Sequence, residues 1–206
     1  MHRSTRIASI FVAPAVFLLT ACGDQRAPTE ATRTAARAVA INADALAPGH
    51  SGGIVAHDAC DPATFNLTEF GPRTCLKEGR TTFPQFIAEL TATQVAKGWE
   101  LTPGNLTARF GVDIQGNNIG GEVHTFTPVR QFGGGFIQVL NDLTGNPVPA
   151  PECLQLDDDD KVPAGGKYAI EAEKLASVVD ASGIARVQCC IHPWMRTEVR
   201  MQHAAL

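Results

Sequence analysis

The heptapeptide Cys189-Cys190-Ile191-His192-Pro193-Trp194-Met195, close to the C-terminus, constrains this chain more than any other segment. It places a thiol at Cys189, an imidazole at His192 and a thioether at Met195, in Cys-x-x-His-x-x-Met spacing. One tight loop can then turn all three side chains toward a single ion. Copper that cycles between two oxidation states favours such donors: a soft thiolate and imidazoles in a trigonal plane, with a weakly held thioether on the axis. A closed zinc site, by contrast, seldom recruits Met and ordinarily uses more than one thiolate. The second imidazole has to come from elsewhere, and His124 supplies it best. There a Gly-rich bend leads into Val123, Thr125, Thr127 and Val129, alternating with His124, Phe126 and Pro128. Alternation of this kind marks a β-strand, with His124 near its start. His2, His50, His57 and His203 are less suitable, lying in the leader, in a polar stretch or near the ends of the domain.

The rest of the C-terminal half reads as short strands separated by Gly, Pro and Asn turns: Leu106 to Phe110, Val112 to Asn117, Val123 to Val129, Arg186 to Ile191 and Thr197 to Met201. That pattern predicts an all-β protein, an antiparallel β-sandwich. Before it, Phe83, Phe86, Ile87 and Leu90 recur at helical spacing with Pro84 near the start. A short helix is expected there, covering one end of the sandwich.

The ligand loop, together with Asn118 six residues before His124 and the segment from Leu101 to Asn118, resembles the cupredoxins, the small blue-copper family that includes plastocyanin and amicyanin. The resemblance spans roughly residues 99 to 202. It implies a Greek-key sandwich binding one type 1 copper ion through His124, Cys189, His192 and Met195. It also implies that Asn118 is a loop-pinning residue and that the His192 ring reaches the surface as the electron port. Pro193 and Trp194 beside it form either an apolar docking patch or, for Trp194, a loop-stiffening core contact. The chain departs from the family at Val123, where many relatives carry Pro, and at Ala185 and Val187, where aromatic residues are common. The function implied is an electron carrier rather than an enzyme. The alternatives are a copper storage or delivery protein and a metal-free structural lipoprotein.

Arg3 and Arg6 precede an apolar run from Ile7 to Ala21 that ends in Leu19-Thr20-Ala21-Cys22. This is the pattern of a secretory signal, and its end resembles a lipobox with Cys22 as lipid anchor. The run is shorter than the roughly 20 residues that span a bilayer, and Pro14 interrupts it. Residues 1–21 are read as signal peptide, 22–56 as a flexible tether, 57–98 as an N-terminal extension with a disulfide and a short helix, and 99–206 as the copper domain. A membrane-anchored envelope location follows, periplasmic or otherwise extracytoplasmic, with a redox protein as partner and a monomeric chain. The formal charge of −4 comes from 17 basic and 21 acidic residues. Losing Arg3 and Arg6 with the leader leaves 15 against 21, a balance of −6 that argues against nucleic acid.

With Cys22 assigned to lipid and Cys189 to metal, Cys60, Cys75, Cys153 and Cys190 form an even set for an oxidising compartment. Nearest neighbours would pair Cys60 with Cys75 and leave Cys153 with Cys190, although four cysteines allow three pairings. Successive strand residues face opposite ways, so Cys189 can turn to the metal while Cys190 turns away. Other features carry ordinary explanations. The Gly-rich run at 132–136 lacks a following Lys-Ser or Lys-Thr and reads as a turn. Asp157 to Asp160 lack the spaced ligands of a calcium loop. Asp58 and Asp61 suit a turn beside a disulfide, and neither a Ser-His-Asp arrangement nor a His-x-His pair stands out.

Overall fold

The computed structural model describes residues 52–203; the signal peptide, Cys22 and most of the stretch read as tether lie outside them. Two four-stranded sheets share one core. The first has the order β2-β1-β4-β6, built from β1 (Ile54–His57), β2 (Glu100–Thr102), β4 (Ile114–Asn118) and β6 (Lys167–Ile170). The second has the order β3-β8-β7-β5, from β3 (Asn105–Arg109), β5 (Thr127–Val129), β7 (Ile184–Gln188) and β8 (Arg196–Gln202). Alternate residues of both sheets point inward: Ile54, Ala56 and Ile114 from one meet Ala185, Val187 and Val199 from the other, all fully buried. This is the β-sandwich expected from the strand pattern.

Its pairing is mixed rather than wholly antiparallel. β1 runs parallel to β4 and β3 runs parallel to β8, while the remaining ladders are antiparallel. The physical reason lies in the connections. β2 and β3 are sequence neighbours that belong to different sheets, linked through Pro103 and Gly104. A chain that crosses between layers lays strands beside non-neighbours, and no hairpin geometry forces them antiparallel. β1 is a second correction. Residues 54–56, placed by composition in the tether, are an inner strand of the first sheet. Its four residues are too few to show periodicity, and only the partners on both sides make it a strand.

The expected helix is α2 (Phe83–Thr93), which follows the one-turn α1 (Pro62–Phe65). Thr82 and Gln85 form a reciprocal capping box at its start, Pro84 sits in the first turn, and Gln94 closes it in the left-handed conformation. Its buried face sets Phe86 against Trp99 at 4.6 Å and Trp194 at 5.9 Å between ring centroids. The helix therefore covers the end of the sandwich that carries the heptapeptide. The long segment between β5 and β7 adds α3 (Gln138–Leu143), a 3-10 turn at Pro151–Leu154, β6 and α4 (Ala172–Ser177).

Both expected disulfides are present. Cys60 pairs with Cys75 at a Cα separation of 6.1 Å, and Cys153 pairs with Cys190 at 5.4 Å. Cys189 is the free cysteine among the described residues.

Candidate metal centre

Two stretches of backbone bring the donors together. β7 ends at Gln188, the loop carries Cys189 and His192, and β8 begins directly after Met195. The loop is closed by its own backbone: the Cys189 N–H donates to the Met195 carbonyl (3.0 Å) and the Met195 N–H to the His192 carbonyl (2.9 Å). His124 sits on a bridge with Val162, bonded both ways at 3.0 and 2.8 Å. Thr125 ties the two stretches to each other, because its hydroxyl accepts from the Cys190 N–H at 2.8 Å. Alternation beyond β7 then does what the double Cys requires. Cys189 faces inward with a free thiol, and Cys190 faces the long segment and Cys153.

The Cys189 Sγ lies 3.7 Å from His124 Nδ1 and 3.8 Å from His192 Nδ1, and the three donors are within 4.8 Å of one another. A triangle with those edges has a point about 2.0–2.4 Å from every corner, the range of metal bonds to imidazole nitrogen and thiolate. The residues thus fit a copper ion. All three are buried, with Cys189 and His124 at 0% and His192 at 3% exposure. Met195 is fully buried on the same loop. The Thr125 N–H donates to the Cys189 sulfur at 3.4 Å. Asn118 pins the turn that leads into His124, together with the partner of the His124 bridge, and makes no bond to residues 189–195: its Nδ2 donates to the carbonyls of Glu122 (2.7 Å) and Val162 (2.9 Å), and its Oδ1 accepts from the Gly120 N–H (3.0 Å).

Two carboxylates behind the imidazoles were not legible beforehand. Asp58 accepts from His124 Nε2 (3.0 Å) and from the backbone N–H groups of Gly121 (3.0 Å) and Glu122 (2.9 Å). Its side chain is 2% exposed. Gly120 makes this possible, since a Cβ there would overlap the Asp58 carboxylate. On the other side, Glu122 Oε2 accepts from the Trp99 indole and lies 3.6 Å from His192 Nε2, beyond hydrogen-bond range. Asp58 stands 66 residues from His124 in sequence. No local pattern announces such a pair, and the spacing around Asp58 points only to a turn beside a disulfide.

Charge in the metal-free centre follows from these contacts. Burial pushes the Asp58 carboxyl up, but bonds from His124 and the Glu122 and Gly121 amides outweigh it and hold its pKa at about 2. Burial pulls His124 down, and the Asp58 and Cys189 contacts reverse this and raise it to about 9. Burial would raise the Cys189 thiol, yet the two imidazoles bring it well below its ordinary value. Glu122 is raised, chiefly by burial. The free protein therefore holds a thiolate against a protonated His124 backed by a carboxylate.

One expectation is corrected. His192 does not reach the surface: Trp194 packs edge-on to it at 5.3 Å, and α2 lies over Trp194. Of the two residues named as a docking patch, Pro193 is buried and Trp194 is half-buried, its indole donating to the Ala96 carbonyl at 3.3 Å. The N-terminal extension contributes to this, because Phe86 of α2 packs on the Trp194 ring that lies edge-on to His192.

Neither known protein families nor curated proteins match the chain. Among solved structures, the chain is similar to a purple cupredoxin from Nitrosopumilus maritimus, with 16% identity over 52% of this chain and 87% of that one, at a TM-score of 0.31. A superposition that loose adds nothing to the site, and the two-sheet sandwich stands on its own strand pairing.

Proposed function

We propose that this chain is a type 1 blue-copper electron carrier of the cell envelope, in which His124, Cys189, His192 and Met195 would hold the copper ion. One observation carries this: the free thiol of Cys189, fully buried, with two imidazole Nδ1 atoms at 3.7 and 3.8 Å. Copper, when bound, supplies the one-electron couple. The protein's own residues set the conditions for it. Asp58 fixes the plane of the His124 ring, the closed loop fixes His192, and the Thr125 N–H points at the thiolate. Donors held in place by such contacts leave little to rearrange when an electron arrives or departs.

Burial of every donor speaks against a delivery role, which needs exposed and exchangeable ligands. Electrons pass to and from a redox protein that approaches the half-buried Trp194, since Pro193 and His192 are covered. In the same proposal the chain is monomeric and is anchored to the membrane by lipid on Cys22 after removal of residues 1–21. Absorption and paramagnetic-resonance spectra of the protein with added Cu(II) test the metal centre. The intense visible band should appear with the native protein and vanish in Cys189→Ser; a blue Ser variant would refute the assignment.

A further inference from the structure

The Gly-rich run from Phe132 to Phe136 lies against the ligand loop. The Phe136 N–H donates to the Cys190 carbonyl at 2.9 Å, and a Cβ on Gly135 would overlap that same carbonyl. Gln188, fully buried at the end of β7, holds the run from beneath: its Oε1 accepts from the Gly133 N–H at 3.0 Å and its Nε2 donates to the Gly133 carbonyl at 3.3 Å. Its cross-strand partner in the β7–β8 ladder is Arg196, the residue that follows Met195.

Arg196 is half-buried. Its Nε donates to the Pro193 carbonyl at 2.7 Å, while Nη2 donates to Asn146 Oδ1 at 2.7 Å and to the Gly133 carbonyl at 3.4 Å. The guanidinium also stacks over the Phe132 ring, 4.9 Å from its centroid. Among the described residues no carboxylate forms an ion pair with it. Neutral acceptors on three backbone segments therefore satisfy a cation that has given up part of its hydration. The planar fork suits this task, and the compact ammonium of Lys does not. The Cys190 and Pro193 carbonyls stand on either side of His192 in the chain. Both are tied to the Gly-rich run, the first directly and the second through Arg196.

We propose that Arg196 is a positioning residue for the metal centre: its guanidinium clamps the His192 side of the ligand loop to the Gly-rich run, and its unpaired positive charge favours the lower oxidation state of a bound copper ion. The charge effect rests on the electron-carrier reading, whereas the clamp is a property of the metal-free chain. Arginine stays protonated throughout, so neither effect depends on titration.

Arg196→Lys keeps the charge without the fork, and Arg196→Leu removes both. In the metal-free full chain, hydrogen exchange followed by NMR should show the Cys189, Met195 and Phe136 amides exchanging about tenfold faster in both variants, with the amides of β1 and β4 unchanged. Loaded with copper, both variants should lose the ion to a chelator about tenfold faster or more, as is usual when a contact behind a metal ligand is removed. The reduction potential should fall in Arg196→Leu and stay close to native in Arg196→Lys, a split that a purely structural residue would not produce. Exchange within about twofold of native in both variants overturns the clamp, as does native exchange in the Lys variant alone. An unchanged potential in Arg196→Leu, or an equal fall in both variants, overturns the charge effect. A native chain that takes up no copper refutes the electron-carrier reading and the charge effect with it, while the exchange rates still decide the clamp.

Discussion

Replacing Asp58 by Asn removes a buried negative charge one hydrogen bond behind His124 while keeping its shape. The carboxylate lies 3.0 Å from His124 Nε2. Adding the width of the ring and a metal bond of about 2 Å places the charge about 7 Å from the point shared by the three donors. At an effective dielectric constant of about 20, a unit charge at that distance contributes about 2.4 kcal/mol, or about 100 mV for a one-electron couple. A negative charge stabilises the more positive oxidation state, so Asp58→Asn should raise the reduction potential by about that amount. Voltammetry of copper-loaded native and variant protein at one pH and one ionic strength reads it directly. A shift below a fifth of that figure, or a fall, would refute the electrostatic reasoning and leave Asp58 only a packing part. The metal-free variant should also lose about 1–3 kcal/mol in denaturant unfolding, because one backbone N–H would then face an amide NH₂.

Copper uptake at neutral pH should release a proton from His124, which is protonated there because its pKa stands at about 9. Calorimetry in buffers of different ionisation enthalpy counts that proton, and the release should fade as pH rises past 9; uptake without proton release at neutral pH would contradict the charge state assigned. In the metal-free protein Asp58 has a folded pKa of about 2 against an ordinary value of 3.8, so its stabilisation is complete above that ordinary value. The contribution should be lost as pH falls from about 4 toward 2, worth about 2 kcal/mol, and Asp58→Asn should show a correspondingly shallower acid slope. Cys153→Ala opens a loop of 37 residues. It should cost about 4 kcal/mol of stability in the chain-entropy model, measured by guanidinium unfolding; a loss under a quarter of that would mean the cross-link constrains little.

Much of the donor set was legible in sequence because it is local. Cys189, His192 and Met195 share one loop, and residue spacing alone dictates that such a loop can converge on one point. The double Cys was equally readable, since strand alternation decides which thiol faces the core. Asp58 and Glu122 were not, for a contact across 66 residues leaves no periodic trace. The burial of His192 was missed for the same reason. Its exposure depends on where α2 docks, and the helix pattern shows an apolar stripe without naming what that stripe covers.

Spacing and periodicity within a few residues set the loop that carries Cys189, His192 and Met195, the capped helix and the β-rich core, whereas the strand expected from Val123 begins only at Thr127 and leaves His124 on a lone bridge to Val162. That residues 54–56 form an inner strand, that two ladders run parallel, and that carboxylates from distant segments stand behind the imidazoles is settled by packing alone. Those outcomes depend on which surfaces meet once the layers pack, and packing is a property of the whole chain.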